Sequence, residues 1–360
     1  MPTAAKPATT TATLAMPPAP VVPLPRGARV LIIRLSALGD VLFGLETVAA
    51  LATARPDVQI DFLVEDRFAS LLQGHPQLAN VHVYPRQTKW KIPAHLLSLR
   101  RTKYDAVLDL HGILKSVVHV VAARAVRKLG FDAPGSREGS AWFYREAVPV
   151  PTPLPHRADL GYLLLERLGI RAPRTRPQLS VIEPPARLFA GLPRPLVLLH
   201  PGTSAFAAFK RWPIDRFVEL ARRLAARGIS IAVSYGPGEI ELAAPVLAAV
   251  KQARAVDGRA LSLRGLAGAM QHVDVVVAAD TGPLHIAAAV GAHCVALFGP
   301  KDSLRYGPRA FDQVGHEVLF ADVPCRPCKL RDCVTPQCVL GLAVERVEAA
   351  VLRTLARAGA

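Results

Sequence analysis

The stretch RVLIIRLSALGDVLFGLETVAAL, residues 29–51, contains the first instance of the pattern that organises the chain. A β-branched run over 29–34 is followed by a short loop with Gly39 and Asp40, and an apolar helical pattern begins at once. This order predicts a strand, a tight loop and a helix, as in a βαβ unit. Asp40 is either the N-cap of that helix or a carboxylate that faces a ligand crevice at the strand tip. This stretch alone favours the N-cap interpretation.

The same alternation continues along the chain. Further strands are predicted over residues 59–64, 80–84, 106–110, 196–200, 230–234, 274–279 and 294–298. Helices are predicted over residues 41–54, 66–73, 113–126, 157–168, 213–227, 239–252, 284–290 and 343–358. Alternating strands and helices are typical of parallel sheets. Pro-rich segments at 148–155 and 173–195 separate two α/β halves, which predicts an interdomain cleft, a preferred place for small-molecule sites.

The composition limits the kind of protein. With 360 residues and 51% hydrophobic content, the chain can build cores for two domains of ordinary size. The first 26 residues are rich in Pro, Ala and Thr and lack a periodic apolar face, so we expect a disordered leader and not a signal peptide. No window reaches the ~18 uninterrupted apolar residues of a membrane-spanning helix. A cytoplasmic protein is expected.

The charge is strongly positive. Lys and Arg number 44 against 28 Asp and Glu, a formal +16, which predicts an anionic partner such as nucleic acid, an acidic membrane surface or a phosphorylated substrate. Part of the excess lies in an acid-free basic segment that contains Trp90 and the cations Arg86, Lys89, Lys91, Arg100, Arg101 and Lys103. This segment is either a solvated helix face or an anion-binding surface.

Two common nucleotide-binding motifs are missing from the sequence. Gly236-Pro-Gly238 lacks the third glycine of a dinucleotide fingerprint, and the P-loop pattern G-x-x-x-x-G-K-[ST] does not occur. A nicotinamide enzyme and a P-loop NTPase are therefore unsupported. A basic nucleic-acid-binding protein is an alternative, but the basic segment carries one aromatic residue and no recognised RNA or DNA module is present.

The segment VDVVVAADTGPLHIAAAVG ends a strand at Asp280 and opens a helix at Pro283. Gly282 leaves backbone N–H groups accessible after Thr281 at the positive end of the helix, so the segment is expected to bind a pyrophosphate. Helix capping is the alternative interpretation. His285 is either a further site residue or a satisfied core histidine.

A second strand tip is HPGTSAFAAFKRW, in which Thr203 and Ser204 form a donor-rich loop that is followed by Lys210. A cation near a diphosphate can offset the charge that develops when a sugar–phosphate bond breaks. The alternative is a surface Lys-Arg pair. A third tip, SYGPGEIEL, has Glu239 and Glu241 at a helix start, where a carboxylate either interacts with the helix dipole or accepts the hydroxyls of a ribose.

These motifs, taken in order, resemble one family. The stretch that opens this section, together with YDAVLDLHGILKS, GFDAPGSREGSAWFY, HPGTSAFAAFKRWP, DTGPLHIAAAVG and VALFGPKD, is similar to the bacterial heptosyltransferases of lipopolysaccharide inner-core synthesis, glycosyltransferase family nine. The similarity extends from residue 28 to residue 355. Each motif alone is weak, whereas their fixed order is specific.

The resemblance implies a fold and a division of labour. We expect an α/β protein of GT-B architecture, in which the parallel sheets of two Rossmann-like domains face an interdomain cleft. After the leader over 1–26, an acceptor-side domain is expected over 27–180 and a nucleotide-sugar-binding domain over 181–342. A C-terminal helix is expected over 343–360.

The resemblance also implies roles for the residues described above. Asp40 is the expected general base, and Lys210 is the second catalytic residue. The expected donor-binding residues are Thr203, Ser204, Glu239, Glu241, Asp280, Thr281, Gly282 and His285, with Glu239 and Glu241 as alternatives for the ribose. Inner-core acceptors carry phosphates and acidic keto-sugars, so cations are expected to bind them. The expected acceptor-binding residues are Arg86, Lys89, Lys91, Arg100, Arg101 and Arg137.

The implied reaction is inverting transfer of a heptose from ADP-L-glycero-D-manno-heptose to a Kdo/heptose-lipid A acceptor. A related transferase with a different sugar donor or acceptor is the alternative. No D-x-D pair lies near the three strand tips, which is consistent with chemistry that requires no cofactor. The expected partners are an ADP-sugar, an anionic lipid-linked glycan and, by peripheral contact, the inner face of the inner membrane, with no specific nucleic acid.

Four of the five cysteines form a C-x2-C-x4-C-x4-C pattern, namely Cys325, Cys328, Cys333 and Cys338. In a cytosolic protein such clustering indicates metal binding more than disulfides. We therefore expect a structural clip, either with or without a bound metal, away from the chemistry. The fifth, Cys294, lies in an apolar strand and is expected in the core.

Overall fold

A computed structural model describes residues 22–359. The strands in this range are β1 (Arg29–Ile33), β2 (Gln59–Glu65), β3 (Asn80–Tyr84), β4 (Lys103–Asp109), β5 (Arg124–Phe131), β6 (Glu146–Val148), β7 (Leu196–His200), β8 (Ser230–Tyr235), β9 (Arg254–Asp257), β10 (Val275–Ala279), β11 (His293–Phe298) and β12 (Glu317–Phe320). The α-helices are α1 (Leu38–Ala54), α2 (Asp66–Leu72), α3 (Ile92–Leu99), α4 (Leu114–Ala122), α5 (Asp159–Arg167), α6 (Ile214–Ala226), α7 (Ile240–Ala249), α8 (Leu263–Gln271), α9 (Gly282–Ala289), α10 (Ser303–Tyr306), α11 (Gln337–Leu340) and α12 (Val344–Ala358). Short 3₁₀ helices occur at Lys89–Lys91, Ser140–Phe143, Ala186–Leu188 and Ala205–Lys210.

The two sheets share one strand order. The N-terminal sheet runs β3-β2-β1-β4-β5-β6, and the C-terminal sheet runs β9-β8-β7-β10-β11-β12. Every neighbouring pair is parallel. In each sheet the order reverses beside the first strand, and a crevice opens there at the carboxyl ends of the strands. The predicted α/β class with two Rossmann-like domains is confirmed.

The strands beside each switch point are buried on both faces. Residues 30–33 of β1 and 197–199 of β7 have no exposed surface, which is why these strands are continuous apolar runs without alternation. α1 is buried almost all round from Val41 to Leu51, because it packs against β2, α5 and, across the domain boundary, α9.

The two halves meet where α1 lies against α9. A Cβ atom at Gly39 would lie 2.5 Å from Cδ2 of His285, and a Cβ atom at Gly282 would lie 2.5 Å from Cδ2 of Leu38. Only glycine leaves room for these side chains to pack directly against the facing backbone. The Phe43 ring also packs edge-on against His285, with 4.9 Å between ring centroids. The loop after β1 therefore contacts the start of α9.

A second junction lies further along α1. Arg309 of the C-terminal half forms an ion pair with Asp159 of α5, and its Nε lies 3.4 Å from Oε2 of Glu46. The main-chain N–H of Arg157 donates to the carbonyl of Arg305 at 2.9 Å. These contacts tie the segment after α10 to the N-terminal half.

Some elements differ from the sequence prediction. The helix predicted over 113–126 ends at Ala122, and β5 begins two residues later. The prediction was wrong because Arg124, Arg127 and Lys128 keep the i, i+3, i+4 spacing of a helix, so the sequence pattern does not show where α4 ends and β5 begins. The elements that were not predicted also include α3, α8, α10, α11, β6, β9 and β12.

The predicted leader is described only in part. Residues 1–21 lie outside the described residues, and residues 22–26 run along the N-terminal domain. Leu24 is buried, and Arg55 donates to the carbonyls of Leu24 and Pro25 at 3.2 and 2.8 Å. At the other end, α12 packs on α6 and β11. Among the described helices, none has the length and apolar character needed to cross a membrane.

Candidate active site

The carboxyl ends of the two sheets border a cleft that holds two adjacent cavities. The large cavity, of about 480 Å³, is lined by the loop after β1 and by the tips of β7, β8 and β10. The small cavity, of about 220 Å³, extends toward Asp40. Lys210, Asp280, Thr281 and Gly282 line both cavities. The four segments singled out in the sequence therefore converge.

The predicted donor residues divide between these cavities. Thr203, Ser204 and Glu239 line the large cavity, and His285 lines the small one together with Asp40. Thr203 is buried, and its Oγ1 accepts a hydrogen bond from Nε of Arg211 at 2.9 Å. That contact explains the Lys-Arg pair: Arg211 supports the loop, while Lys210 faces the cavity.

The structure separates the two glutamates that the sequence left as alternatives. Oε2 of Glu239 accepts the main-chain N–H of Gly236 at 2.8 Å. A Cβ atom at Gly202 would lie 2.3 Å from the same oxygen, so glycine is needed to admit the carboxylate between the tips of β7 and β8. Glu241 is exposed in the first turn of α7 and lines neither cavity.

The start of α9 presents polar atoms without protein partners. Thr281 is the N-cap residue, but its side chain makes no capping hydrogen bond, and its buried Oγ1 has no partner in the described structure. Nδ1 of His285 is likewise buried without a partner. The helix-capping alternative is therefore wrong for the Thr281 hydroxyl, which faces the cavities and is available to a ligand.

Lys210 and Asp280 form an ion pair between the two cavities. Nζ of Lys210 lies 2.5 Å from Oδ2 of Asp280, and Nε2 of His285 lies 3.6 Å from Oδ1. Burial acts to raise the pKa of Asp280, but the hydrogen bond from His285 and the charge of Lys210 outweigh it and lower that pKa. Asp280 is thus an ionised carboxylate, and it holds the ammonium group of Lys210 between the two cavities.

Asp40 is held by two arginines. α1 begins at Leu38 with Ala37 as its N-cap, so the N-cap interpretation of Asp40 is wrong and the residue lies in the first turn. Its Oδ1 lies 2.7 Å from Nη2 of Arg34 and 3.3 Å from Nε of Arg157. Its side chain is 25% exposed, toward the small cavity. Burial acts to raise the pKa of Asp40, but the two guanidinium groups hold it well below its usual range.

The N-terminal domain carries a cation cluster that was only partly predicted. The buried carboxylate of Glu65, at the end of β2, is paired with Arg86 at 3.2 Å, with Arg67 at 2.8 Å and with Lys115. Three cations on one carboxylate leave two net positive charges beside the cleft, and Arg67 also lines the large cavity. Of these three cations, only Arg86 was identified as a site residue from the sequence, because Arg67 and Lys115 lie outside the basic segment, in α2 and α4.

The structure divides the basic segment between opposite edges of the sheet. Lys89 and Lys91 follow β3 and lie at its carboxyl edge, beside the cleft. α3 then runs back, so Arg100 and Arg101 directly precede β4 at the amino edge. This position lies apart from Arg86 and argues against a single acceptor surface. The side chain of Arg137 is exposed in the loop after β5, at the cleft edge.

Other site residues were missed by the sequence reasoning. Lys301 and Arg331 line the large cavity. Lys301 lies in FGPKD, directly after the carboxyl end of β11. This place beside a strand end is the sequence feature that could have identified Lys301 as a site residue. Arg331 comes from the cysteine-rich segment and stacks over Phe206, with 4.2 Å between the guanidinium carbon and the ring centroid. Nothing in its local sequence indicated that position.

The cysteine pattern does not form the predicted metal site. Cys338 is buried at the start of α11, whereas Cys325 and Cys333 are exposed. Among the residues that the structure describes, no group of three or more Cys, His, Asp or Glu side chains could hold a metal ion. The spacing of the cysteines is compatible with a metal site, but the structure places some of the thiols at the surface and one in the interior. Cys294 is buried in β11, as predicted.

Comparison with known proteins gives a consistent picture. The sequence profile of Glycosyltransferase family 9 (heptosyltransferase) matches residues 92–338. The chain is 33% identical to lipopolysaccharide heptosyltransferase 1 of Pseudomonas aeruginosa, over 85% of this chain and 87% of that protein. It is 28% identical to lipopolysaccharide heptosyltransferase 1 of Escherichia coli K12, over 76% and 88%.

Solved structures agree with this result. The E. coli heptosyltransferase WaaC with ADP has a TM-score of 0.71 at 25% identity, covering 91% of this chain and 99% of that one. A family 9 glycosyltransferase from Veillonella parvula has a TM-score of 0.76 at 21% identity, covering 93% and 99%. The predicted GT-B architecture is confirmed. The chain therefore belongs to glycosyltransferase family 9, the heptosyltransferases, and is a glycosyltransferase.

Proposed function

We propose that this enzyme transfers a heptose from ADP-L-glycero-D-manno-heptose to the inner core of lipopolysaccharide, with inversion at the anomeric carbon. The observation that carries the proposal is the convergence of Asp40 from one half with Lys210, Thr281 and His285 from the other on one small cavity. The curated relatives are lipopolysaccharide heptosyltransferases, and the similar E. coli heptosyltransferase WaaC was solved with ADP.

The large cavity would hold the nucleotide part of the donor. A diphosphate at the start of α9 would meet main-chain N–H groups, the helix dipole and the unpartnered Thr281 hydroxyl. Lys210 and Lys301 would add positive charge beside it. Glu239 is the candidate for the ribose hydroxyls, because its carboxylate faces the cavity at the end of β8.

Asp40 would act as the general base. The acceptor oxygen forms its bond to the anomeric carbon while the bond from that carbon to the diphosphate breaks, and the acceptor proton passes to Asp40. ADP leaves with the bonding electrons, and Lys210 with the N-terminus of α9 offsets its charge. Arg34 and Arg157 keep the carboxylate ionised and oriented. The reaction written in this way uses no cofactor.

The Glu65 cluster supports an anionic acceptor. Arg67, Arg86 and Lys115 would bind phosphates or carboxylates of a core glycan through charge-assisted hydrogen bonds. Lys89, Lys91 and Arg137 lie at the same edge of the sheet. A lipid-linked acceptor also implies a cytoplasmic enzyme with peripheral contact to the inner face of the inner membrane.

Product analysis tests the proposal. The enzyme is incubated with a panel of ADP- and UDP-sugars and a Kdo-containing core oligosaccharide, and the products are weighed by mass spectrometry. We expect the mass increment of one heptose with ADP-heptose alone. An increment from another donor would replace the proposed sugar, and no transfer to the core oligosaccharide would reject the proposed acceptor.

A further inference from the structure

The outward side of α4 is apolar, although this helix lies at the surface. Val117 and Val120 are buried against the sheet, but Leu114, Val118 and Val121, on successive turns, are 44, 48 and 55% exposed. A surface helix normally carries polar side chains on its outer side. This stripe therefore lacks a partner within the described structure.

Neighbouring elements extend the stripe. Trp142 and Phe143, which are 90% and 50% exposed, belong to the 3₁₀ helix that packs beside α4. α3 also packs beside α4 on the same side of the sheet, and its outward Leu97 is 60% exposed. We call these six side chains the apolar face: Leu97, Leu114, Val118, Val121, Trp142 and Phe143.

The surrounding sequence is rich in cations. Residues 86–145 contain twelve Lys and Arg against four Asp and Glu. All four acids are engaged within the domain. Asp109 is buried, and Asp105, Asp132 and Glu138 accept the main-chain N–H groups of Arg29, Val150 and Leu114 respectively. Nζ of Lys128 donates to the carbonyl of Val121 at 3.1 Å, which puts a cation at the end of the stripe.

We propose that the apolar face docks on an anionic phospholipid bilayer. Exposed aromatic and aliphatic side chains flanked by Lys and Arg are the combination that binds the headgroup region of anionic membranes. A second copy of the chain fits less well, because a two-fold interface would bring the same cations against each other. Nucleic acid fits less well, because aliphatic side chains neither stack on bases nor hydrogen-bond to them.

The position of the face gives the docking a use, and this step rests on the proposed function. Leu114 follows the tip of β4, and Trp142 follows the loop after β5, so one end of the face adjoins the cleft edge of the N-terminal sheet. Docking there would hold the cation cluster around Glu65 near the membrane surface, where a lipid-linked acceptor is found.

Vesicle flotation tests the docking directly. The full chain is mixed at low salt with vesicles of equal parts phosphatidylcholine and phosphatidylglycerol, or of phosphatidylcholine alone. We expect flotation with the anionic vesicles and little with the neutral ones. The double variant Val118→Glu, Trp142→Ser should lower the partition coefficient by roughly tenfold or more. Val334→Glu, at an exposed valine of the C-terminal half, is the matched control and should float like wild type.

Transfer to a soluble, delipidated core oligosaccharide separates docking from catalysis and from folding. Both variants should retain wild-type activity in that assay. If the double variant does not fold, Arg100→Gln, Arg101→Gln replaces it and should reduce flotation with anionic vesicles. The proposal is overturned if wild type does not float, if the variants that fold float equally well, or if the double variant dissociates a dimer in solution. Normal flotation without heptose transfer would reject the proposed function alone.

Discussion

Asp40 shows how distant residues set the chemistry of one side chain. The sequence correctly indicated a carboxylate at a strand tip, but the local pattern favoured an N-cap because Asp suits that position. In the structure, one of the two ion-pair partners of Asp40 is Arg157, which lies 117 residues away in the sequence. No local pattern contains that information. A carboxylate held in this way is ionised at neutral pH and acts through its position more than through strong basicity.

Replacing this carboxylate should affect turnover and not donor binding. Asp40→Asn keeps the shape of the side chain but cannot take up the proton of the acceptor hydroxyl, so we expect kcat to fall by roughly 10²–10⁴-fold. The Kd for ADP, measured by calorimetry, should stay within about twofold. A kcat near that of wild type would remove Asp40 from the role of base.

The two glutamates at the third tip offer a matched pair. Glu239→Gln keeps the volume beside Gly202 but weakens hydrogen bonding to ribose hydroxyls, so ADP binding should weaken roughly tenfold. Glu241→Gln makes the same chemical change at an exposed position outside both cavities. This variant should bind ADP like wild type. Equal effects from the two variants would contradict the assignment of Glu239.

At the scale of elements, the buried strands were predictable and the edges were not. β1, β7, β10 and β11 are long apolar runs because both of their faces are covered. β5 was hidden in a predicted helix, and β9 and β12 are short strands near sheet edges with little apolar signal. The basic segment appeared to be one surface because sequence distance does not show that α3 reverses the chain direction between Lys91 and Arg100.

The junction between α1 and the C-terminal half predicts a pH dependence of stability. Burial raises the pKa of Glu46 to about 8 from 4.5, although Arg309 opposes the shift. Between these values the folded state binds a proton at Glu46 that the unfolded state has lost, so the contribution of Glu46 to the free energy of unfolding should fall by up to about 1.4 kcal/mol per pH unit as pH rises.

Urea unfolding of wild type and Glu46→Gln from about pH 5 to about pH 8 checks this dependence. The variant lacks the titrating group, so it should become progressively more stable than wild type as pH rises. Glu166→Gln, at an exposed position of α5, should follow the wild-type profile. Parallel profiles for wild type and Glu46→Gln would contradict the raised pKa.

At the scale of the whole molecule, the sequence predicted the architecture and the convergence of the strand tips. Both follow from parallel topology, which brings the carboxyl ends of neighbouring strands to one edge. The sequence did not indicate the cluster around Glu65, because its cations come from the segments after β2, β3 and β4. Only the strand order β3-β2-β1-β4 brings them near each other.

The positive charge of the cluster around Glu65, which we propose binds the acceptor, predicts a salt effect. The KM for a phosphorylated core acceptor should rise with ionic strength, because the Debye length falls from about 10 Å at 0.1 M to about 3 Å at 1 M. Arg86→Gln should raise this KM at low salt and flatten its salt dependence. Arg100→Gln, at the opposite edge of the sheet, is the control and should leave the salt dependence with a soluble acceptor unchanged. A flattened dependence in both variants would indicate a diffuse charge effect without a defined cluster.

The glycine contacts between Gly39 and His285, and between Gly282 and Leu38, set the spacing of the two halves. Because glycine has no side chain, the backbone of each half lies in van der Waals contact with a side chain of the other half, and these contacts fix the separation between the first turn of α1 and the start of α9. A single added methyl group at either position would push the two halves apart beside the small cavity. We therefore expect Gly39 and Gly282 to stay unchanged in related enzymes, while residues on the outer walls of the cleft change to admit other sugars.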